Sequence, residues 1–299
     1  MTVSPPACTP ARLLCALLLC AAASVSRADL PLTVEDLITE QGKMRLDLAL
    51  AYANASRQGV SAGEPVVVQT GPAAFVLIPT AIGDHLVNTD TLVASLGLRY
   101  GLTASTELYA RASALTSWQR VSDVAGTSSS RESRWADAWV GVNHQLREDD
   151  PGPALLGFAE VALAERHRHD SAHLRSALLG LTTYHAIDPV VLSLTGAYRF
   201  NRSRPDGQRS YRPGDLLLLN PAVGFAVNDR VTLSTGLQWT HREADRFDGV
   251  AQGIARTATD LTLGVGYGIA RGNTLNATLR ANVSGAGGAE VRLNWLYTL

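Results

Sequence analysis

Residues 291–299 read VRLNWLYTL. Val291, Leu293, Trp295, Tyr297 and Leu299 alternate with Arg292, Asn294, Leu296 and Thr298. A period of two gives a strand one apolar and one mostly polar face. Left as an edge, such a strand is a template for uncontrolled pairing; a sheet closed on itself removes the edge by zipping the last strand against the first. The stretch therefore predicts a barrel.

The other end agrees. Arg12 precedes an apolar run over 13–23, and Ser26 and Ala28 form a small-x-small cleavage signal, so 1–28 is expected to be a secretory signal peptide. Leu19 before Cys20 argues against a lipid-modified cysteine. Cys8, Cys15 and Cys20 all fall in that signal, which leaves the exported part with no disulfide and no thiolate metal site. Taking Arg12 and Arg27 from the 26 Lys+Arg leaves 24 against 27 Asp+Glu, a net charge of −3 that excludes nucleic acid as an implied partner. Mean hydropathy is +0.04, yet no exported segment approaches the roughly 20 apolar residues of a spanning helix. Apolar surface without spanning helices is the bulk property of a transmembrane barrel.

The expected fold is all-β, a transmembrane antiparallel up-and-down β-barrel of about 12 strands, preceded by a short amphipathic helix or plug over 29–42. The barrel takes 43–299, beginning with an alternating strand over 43–54. Residues 55–89 are rich in Gly and Pro around two apolar patches, 66–68 and 73–78, and read as a first external loop folded into the barrel mouth. The competing reading makes the patches a further strand pair, for about 14 strands. From residue 90 onward, alternating segments of the length a tilted strand needs are drawn at 90–102, 106–118, 134–146, 154–164, 174–186, 190–201, 216–227, 230–243, 257–269, 274–284 and 289–299. Their connectors alternate in length. Short ones sit at 103–105, 147–153, 187–189, 228–229 and 270–273; longer polar ones at 119–133, 165–173, 202–215 and 244–256; the last outer connector, 285–288, is short. Outer-membrane barrels sort their turns this way, short on the periplasmic side and long outside.

Parity separates the faces. Tyr52, Trp118, Tyr198, Phe200 and Trp239 are expected to form an aromatic belt at the outer rim, and Tyr100, Phe225, Tyr267, Trp295 and Tyr297 one at the inner rim, where headgroups favour amphipathic rings. The opposite faces carry Arg45, Asp47, Arg99, Glu107, Arg111, Asp137, Glu160, Arg199, Asp260, Arg280 and Arg292. A charge facing lipid at mid-membrane costs about 2–4 kcal/mol, which assigns these side chains to the lumen. There they either define an electrostatic path or pair with one another and fill the space.

Other patterns yield less. Residues 59–63, GVSAG, spell a nucleophile elbow but lack the flanking strand and helix. His167, His169 and His173 beside Asp170 have metal-ligating chemistry, but their setting reads as a solvated external loop. Arg202, Arg204, Arg209 and Arg212 suit anionic headgroup phosphates. No catalytic, cofactor or metal site is expected.

Leu32-Thr33-Val34-Glu35-Asp36-Leu37, Tyr52-Ala53-Asn54, Leu96-Gly97-Leu98-Arg99-Tyr100-Gly101-Leu102-Thr103 with Glu107-Leu108-Tyr109, and Ala136-Asp137-Ala138-Trp139-Val140-Gly141 resemble the outer-membrane family named after the meta pathway of phenol degradation. That family is similar in turn to the barrel of functional-amyloid secretion channels, whose long periplasmic extension has no counterpart here. The resemblance implies an outer-membrane transporter or secretion channel with no catalytic residues. The expected function is passage of a small solute or an exported polypeptide, the alternative being a structural or adhesive barrel with an occluded lumen. The expected partners are outer-membrane lipid and lipopolysaccharide, the barrel-assembly machinery, the cargo, and in a homotrimer two further copies.

Overall fold

The computed structural model describes residues 38–57, 60–62, 66–78, 82–84, 86–123, 126–149, 152–167, 170–285 and 288–299. Twelve long strands build its wall: β1 (Met44–Arg57), β2 (Leu86–Thr103), β3 (Thr106–Asp123), β4 (Gly126–Arg147), β5 (Ala154–His167), β6 (Ser176–Ile187), β7 (Val190–Asn201), β8 (Leu216–Ala226), β9 (Val231–Arg242), β10 (Arg256–Ala270), β11 (Asn273–Asn282) and β12 (Gly288–Thr298). Each pairs antiparallel with the next, and β1 pairs with β12. The ring is closed. The seam runs without a register shift from Arg45 opposite Thr298 to Ala55 opposite Gly288. The Leu299 N–H donates to the Met44 carbonyl at 2.8 Å, so the pairing reaches the last residue.

Alternation decides which side chain faces where. Leu96, Leu98 and Tyr100 of β2 are exposed, whereas Thr89, Thr91 and Val93 between the opposite positions are buried. The same rule holds on β7, where Leu192, Leu194 and Phe200 are exposed and Ala197, Arg199 and Asn201 are buried. A barrel buries its inner face and leaves the outer, apolar face to the membrane. Among the described residues no helix is long and apolar enough to cross a membrane. The strands supply the crossing.

Tight turns join β6 to β7 at Asp188–Pro189 and β8 to β9, where the Asn228 carboxamide oxygen accepts the N–H groups of Arg230 and Val231, both at 2.9 Å. They lie at the end of the barrel where β1 begins and β12 finishes, the seam end. At the other end, β3 and β4 run on as a hairpin to Asp123 opposite Gly126. The expected loop over 119–133 is thus mostly strand. Its residues are polar because they stand beyond the apolar band, where a strand needs no apolar face. The loops of 202–215 and 244–256 likewise hold short strands, Arg204–Asp206, Arg209–Arg212, Asp245–Phe247 and Val250–Gln252, which form one small sheet over that end.

The expected count of twelve strands holds over the competing fourteen. Residues 66–78 do not enter the wall: Val66–Gln69 and Phe75–Ile78 pair only with each other, so the wall has twelve strands and not fourteen. Most of the helix expected over 29–42 lies outside the described residues, as does the signal peptide over 1–28. Of the helix, the described part, 38–42, is not helical; Gln41 forms a parallel bridge with Gly101, and Gly42 N–H donates to the Gly101 carbonyl at 2.8 Å.

Candidate functional site: the barrel interior

The interior is lined by small and apolar side chains as well as charged ones. Ala49, Ala51, Ala53, Val93, Leu115, Leu178, Leu216 and Leu218 are all buried on inward positions of the wall. All of these but Ala49 pack in clusters with the hairpin 66–78. Val68, Val76 and Ile78 pack with Ala51, Ala53, Val93, Leu115 and Ala136 on one side. Phe75 packs with Trp139, Ala162, Leu178, Ala197, Leu216 and Leu218 on the other. The hairpin is a crossbar inside the barrel. Its backbone is also held at both walls: Gln69 N–H donates to Glu290 Oε2 at 3.2 Å, Arg280 Nη2 to the Val67 carbonyl at 3.2 Å, and Arg199 Nη1 to the Phe75 carbonyl at 3.4 Å. An unpaired backbone group in this interior would cost about 1–3 kcal/mol, so charged wall residues are suitable partners.

The charged residues fall into four groups. Near the seam end, Arg99 lies between Glu107 at 2.9 Å and Asp47 at 3.6 Å, and Asn294 donates to Asp47 at 2.7 Å. Glu107, wholly buried, also accepts the Thr39 N–H and hydroxyl, both at 2.8 Å, and Asn143 Nδ2 at 2.5 Å. One carboxylate thus ties segment 38–42 into that mouth, where Ile38 and Thr39 are buried. Gly101 permits this close approach, because a Cβ there would run into the carbonyl oxygens of Thr39 and Glu40. Arg45 donates through Nε to Thr298 at 3.3 Å.

At mid-height, Arg111 pairs with Glu160 at 3.1 Å and approaches Asp137 at 3.8 Å; the Tyr109 hydroxyl donates to Glu160 at 2.8 Å. Trp139, 1% exposed, sits between two guanidinium groups, Arg111 at 5.1 Å and Arg199 at 4.9 Å from the ring centroid. Arg199 also pairs with Glu165, which takes Arg204 at 3.2 Å and the Ser176 hydroxyl at 2.6 Å. Across the barrel, Arg280 joins Asp260 at 3.2 Å to Glu290, and Asn282 donates to Asp260 at 2.8 Å. Arg292 has one terminal nitrogen buried without an acceptor among the described residues.

The charged residues singled out in the sequence are mostly paired with one another or with neighbouring polar groups, and pairing, not an open electrostatic path, is the dominant arrangement. Glu165, Glu290, Trp139 and the hairpin's Gln69 were missed, and Arg204 joins Glu165 rather than reaching for headgroups. Trp139 was legible: it lies two residues from Asp137 on β4 and so shares its face. The apolar inward residues were the other signal, since a water-filled lumen has no use for Val93, Leu178 and Leu218.

On the outer face, Tyr52 and Phe200 are exposed and Trp118, Tyr198 and Trp239 half-buried toward the loop end; Tyr100, Phe225, Tyr267, Trp295 and Tyr297 are exposed toward the seam end. Among the four loop arginines, Arg204 turns inward to Glu165, Arg212 pairs with Asp215 at 3.0 Å, and Arg202 and Arg209 are exposed. Of the histidine group, His173 Nδ1 lies 3.1 Å from the Leu163 carbonyl; the side chains of His167, His169 and Asp170 lie outside the described residues. Of the GVSAG stretch, Val60–Ala62 forms a short strand paired with Ile82–Asp84, and Gly59 and Gly63 lie outside the described residues.

Residues 55–291 match the model of the family described as putative MetA-pathway of phenol degradation. Among solved structures, an outer membrane channel from Pseudomonas putida F1 is similar at 14% identity over 88% of this chain and 98% of that one, with a TM-score of 0.62. The translocator domain of the autotransporter NalP from Neisseria meningitidis is similar at 11% identity over 96% and 95%, TM-score 0.52. The transport unit of the autotransporter AIDA-I from Escherichia coli is similar at 10% identity over 94% and 95%, TM-score 0.50. At these identities the likeness is one of fold. No curated protein matches the sequence.

Proposed function

The chain belongs to the family described as putative MetA-pathway of phenol degradation, and from that premise we propose that it is a gated outer-membrane channel for a small solute. The observation that carries the reading is the hairpin 66–78, bound inside the wall by three backbone hydrogen bonds to Glu290, Arg280 and Arg199. A barrel that needed only to be solid would fill its interior from its own strands. This one fills it with a tethered piece of a loop. Displacing the hairpin exposes a wall of small residues on β1 and paired charges elsewhere, a surface that water and a small solute can share.

Segment 38–42 is the second barrier, tied to Glu107 at the seam end. The remaining width of a twelve-stranded barrel lined by side chains favours a small solute over a folded or bulky polypeptide. Residues 1–28 direct export and are removed, and the seam strand ending at Leu299 is the part the assembly machinery engages. The eleven charged residues line the path once the hairpin leaves.

The test is planar-bilayer conductance of the intact exported chain against one in which 66–78 is replaced by a Gly/Ser linker, and one starting at Lys43. The linker form is expected to conduct more and open more often, and loss of 38–42 to add to it. Equal conductance in all three would overturn the gate, and no conductance in any of them would overturn the channel reading and leave a structural barrel with an occluded lumen.

A further inference from the structure

At the loop end of the outer face, Val161, Ala177 and Phe200 lie side by side on β5, β6 and β7 as one rung of the sheet. Val161 and Phe200 are exposed, at 42% and 45%. Two residues farther along the same parity come Arg175 before β6 and Arg202 after β7, roughly 7 Å beyond that rung. The Arg202 N–H donates to the Arg175 carbonyl at 2.7 Å, so the two arginines are locked side by side. Both are exposed, and neither has a carboxylate partner among the described residues. Together with Leu174, 61% exposed, these residues border a cleft of about 680 Å3. Arg212 and Asp215 close its far side as a neutral pair, 3.0 Å apart, and Asp215 is further occupied by the Asn201 N–H at 2.7 Å.

An apolar rung at the edge of the membrane band followed by a rung of two uncompensated guanidinium groups matches one kind of ligand: a lipid with phosphates at its head and acyl chains beneath. We propose that this cleft is a seat for the phosphorylated glycolipid of the outer leaflet, lipopolysaccharide, with Arg175 and Arg202 on a phosphate and Phe200, Val161 and Leu174 against an acyl chain. Guanidinium groups bind phosphate oxygens through paired, charge-assisted hydrogen bonds, and the apolar contact supplies what free phosphate lacks. The inference rests on the outer-membrane placement of the barrel and not on whether it conducts.

The experiment uses the barrel in phosphatidylcholine nanodiscs with bisphosphorylated lipid A as the probe, retained lipid being counted by native mass spectrometry. Wild-type protein is expected to retain lipid A, and the Arg175→Ala/Arg202→Ala double variant to bind it at least about tenfold more weakly. The Arg175→Lys/Arg202→Lys variant, which keeps the charge, is expected to retain most of the binding, and dephosphorylated lipid A to bind as weakly to wild type as the intact lipid does to the alanine variant. A folded, heat-modifiable band identifies usable variants. Equal binding by wild type and alanine variant, no retention by wild type, or competition by inorganic phosphate as strong as that by lipid A would each overturn the assignment. Because conductance is not read, failure here leaves the gating test standing, and a non-conducting barrel could still carry the lipid.

Discussion

The backbone N–H of Gln69 donates to Oε2 of Glu290 at 3.2 Å, joining two residues 221 positions apart in the chain. One belongs to a hairpin in a loop, the other to the inner face of the closing strand. Glu290 is buried and also holds Arg280, which reaches the hairpin again at Val67. The hairpin is thereby latched to the seam of the barrel.

Glu290→Gln removes the charge behind that latch while Asp260 keeps Arg280 in place. A hydrogen bond to a charged group contributes about 1.5–3 kcal/mol, so the open population should rise roughly tenfold to hundredfold. Single-channel recordings check this; an open probability equal to that of wild type would mean that Glu290 does not hold the hairpin.

Glu107→Ala strips Arg99 of its nearer carboxylate and leaves Thr39 and Asn143 without their acceptor. Breaking a buried ion pair costs about 3–5 kcal/mol. The folded, faster-running band should be lost at a lower temperature, and protease should cut near 38–42. Glu107→Gln keeps an acceptor for Thr39 and should lose less. Identical melting of all three proteins would contradict the placement of this carboxylate.

Trp139→Ala removes the ring between Arg111 and Arg199 and the wall against which Phe75 packs. Such a truncation costs about 3–5 kcal/mol, and here it should also raise conductance by freeing the hairpin. Trp239→Ala, on the outer face, is the comparison and should leave conductance unchanged. Equal effects from the two would argue against an interior role for Trp139.

Deleting 295–299 takes away the partners of Arg45, Leu46, Asp47 and Leu48 on β1. The seam then ends in unpaired backbone at membrane depth, which lipid does not tolerate. No heat-modifiable protein should be recovered from membranes. Normal recovery would show that these residues are dispensable for closure.

A loop's destination is the part of this protein that sequence reading reached only halfway. Residues 66–68 and 73–78 read as apolar patches, yet two strands in the wall and a crossbar inside the barrel both bury such patches. Their composition is the same in each case.

The sequence by itself determined the closed barrel, a wall of about twelve strands and the placement of the closing strand at its end, because a membrane outside a closed sheet leaves a period of two. The same alternation puts Arg99, Glu107, Arg111, Glu160 and Arg280 on the faces opposite the apolar ones. Only the tertiary structure decided what they face. Glu107 meets Thr39, Glu290 meets Gln69, and Trp139 meets Arg111 and Arg199 because the barrel closes and the hairpin folds back into it. Those contacts join residues far apart in the chain, and alternation, which reports only a side chain's own strand, carries no record of what lies opposite across the lumen.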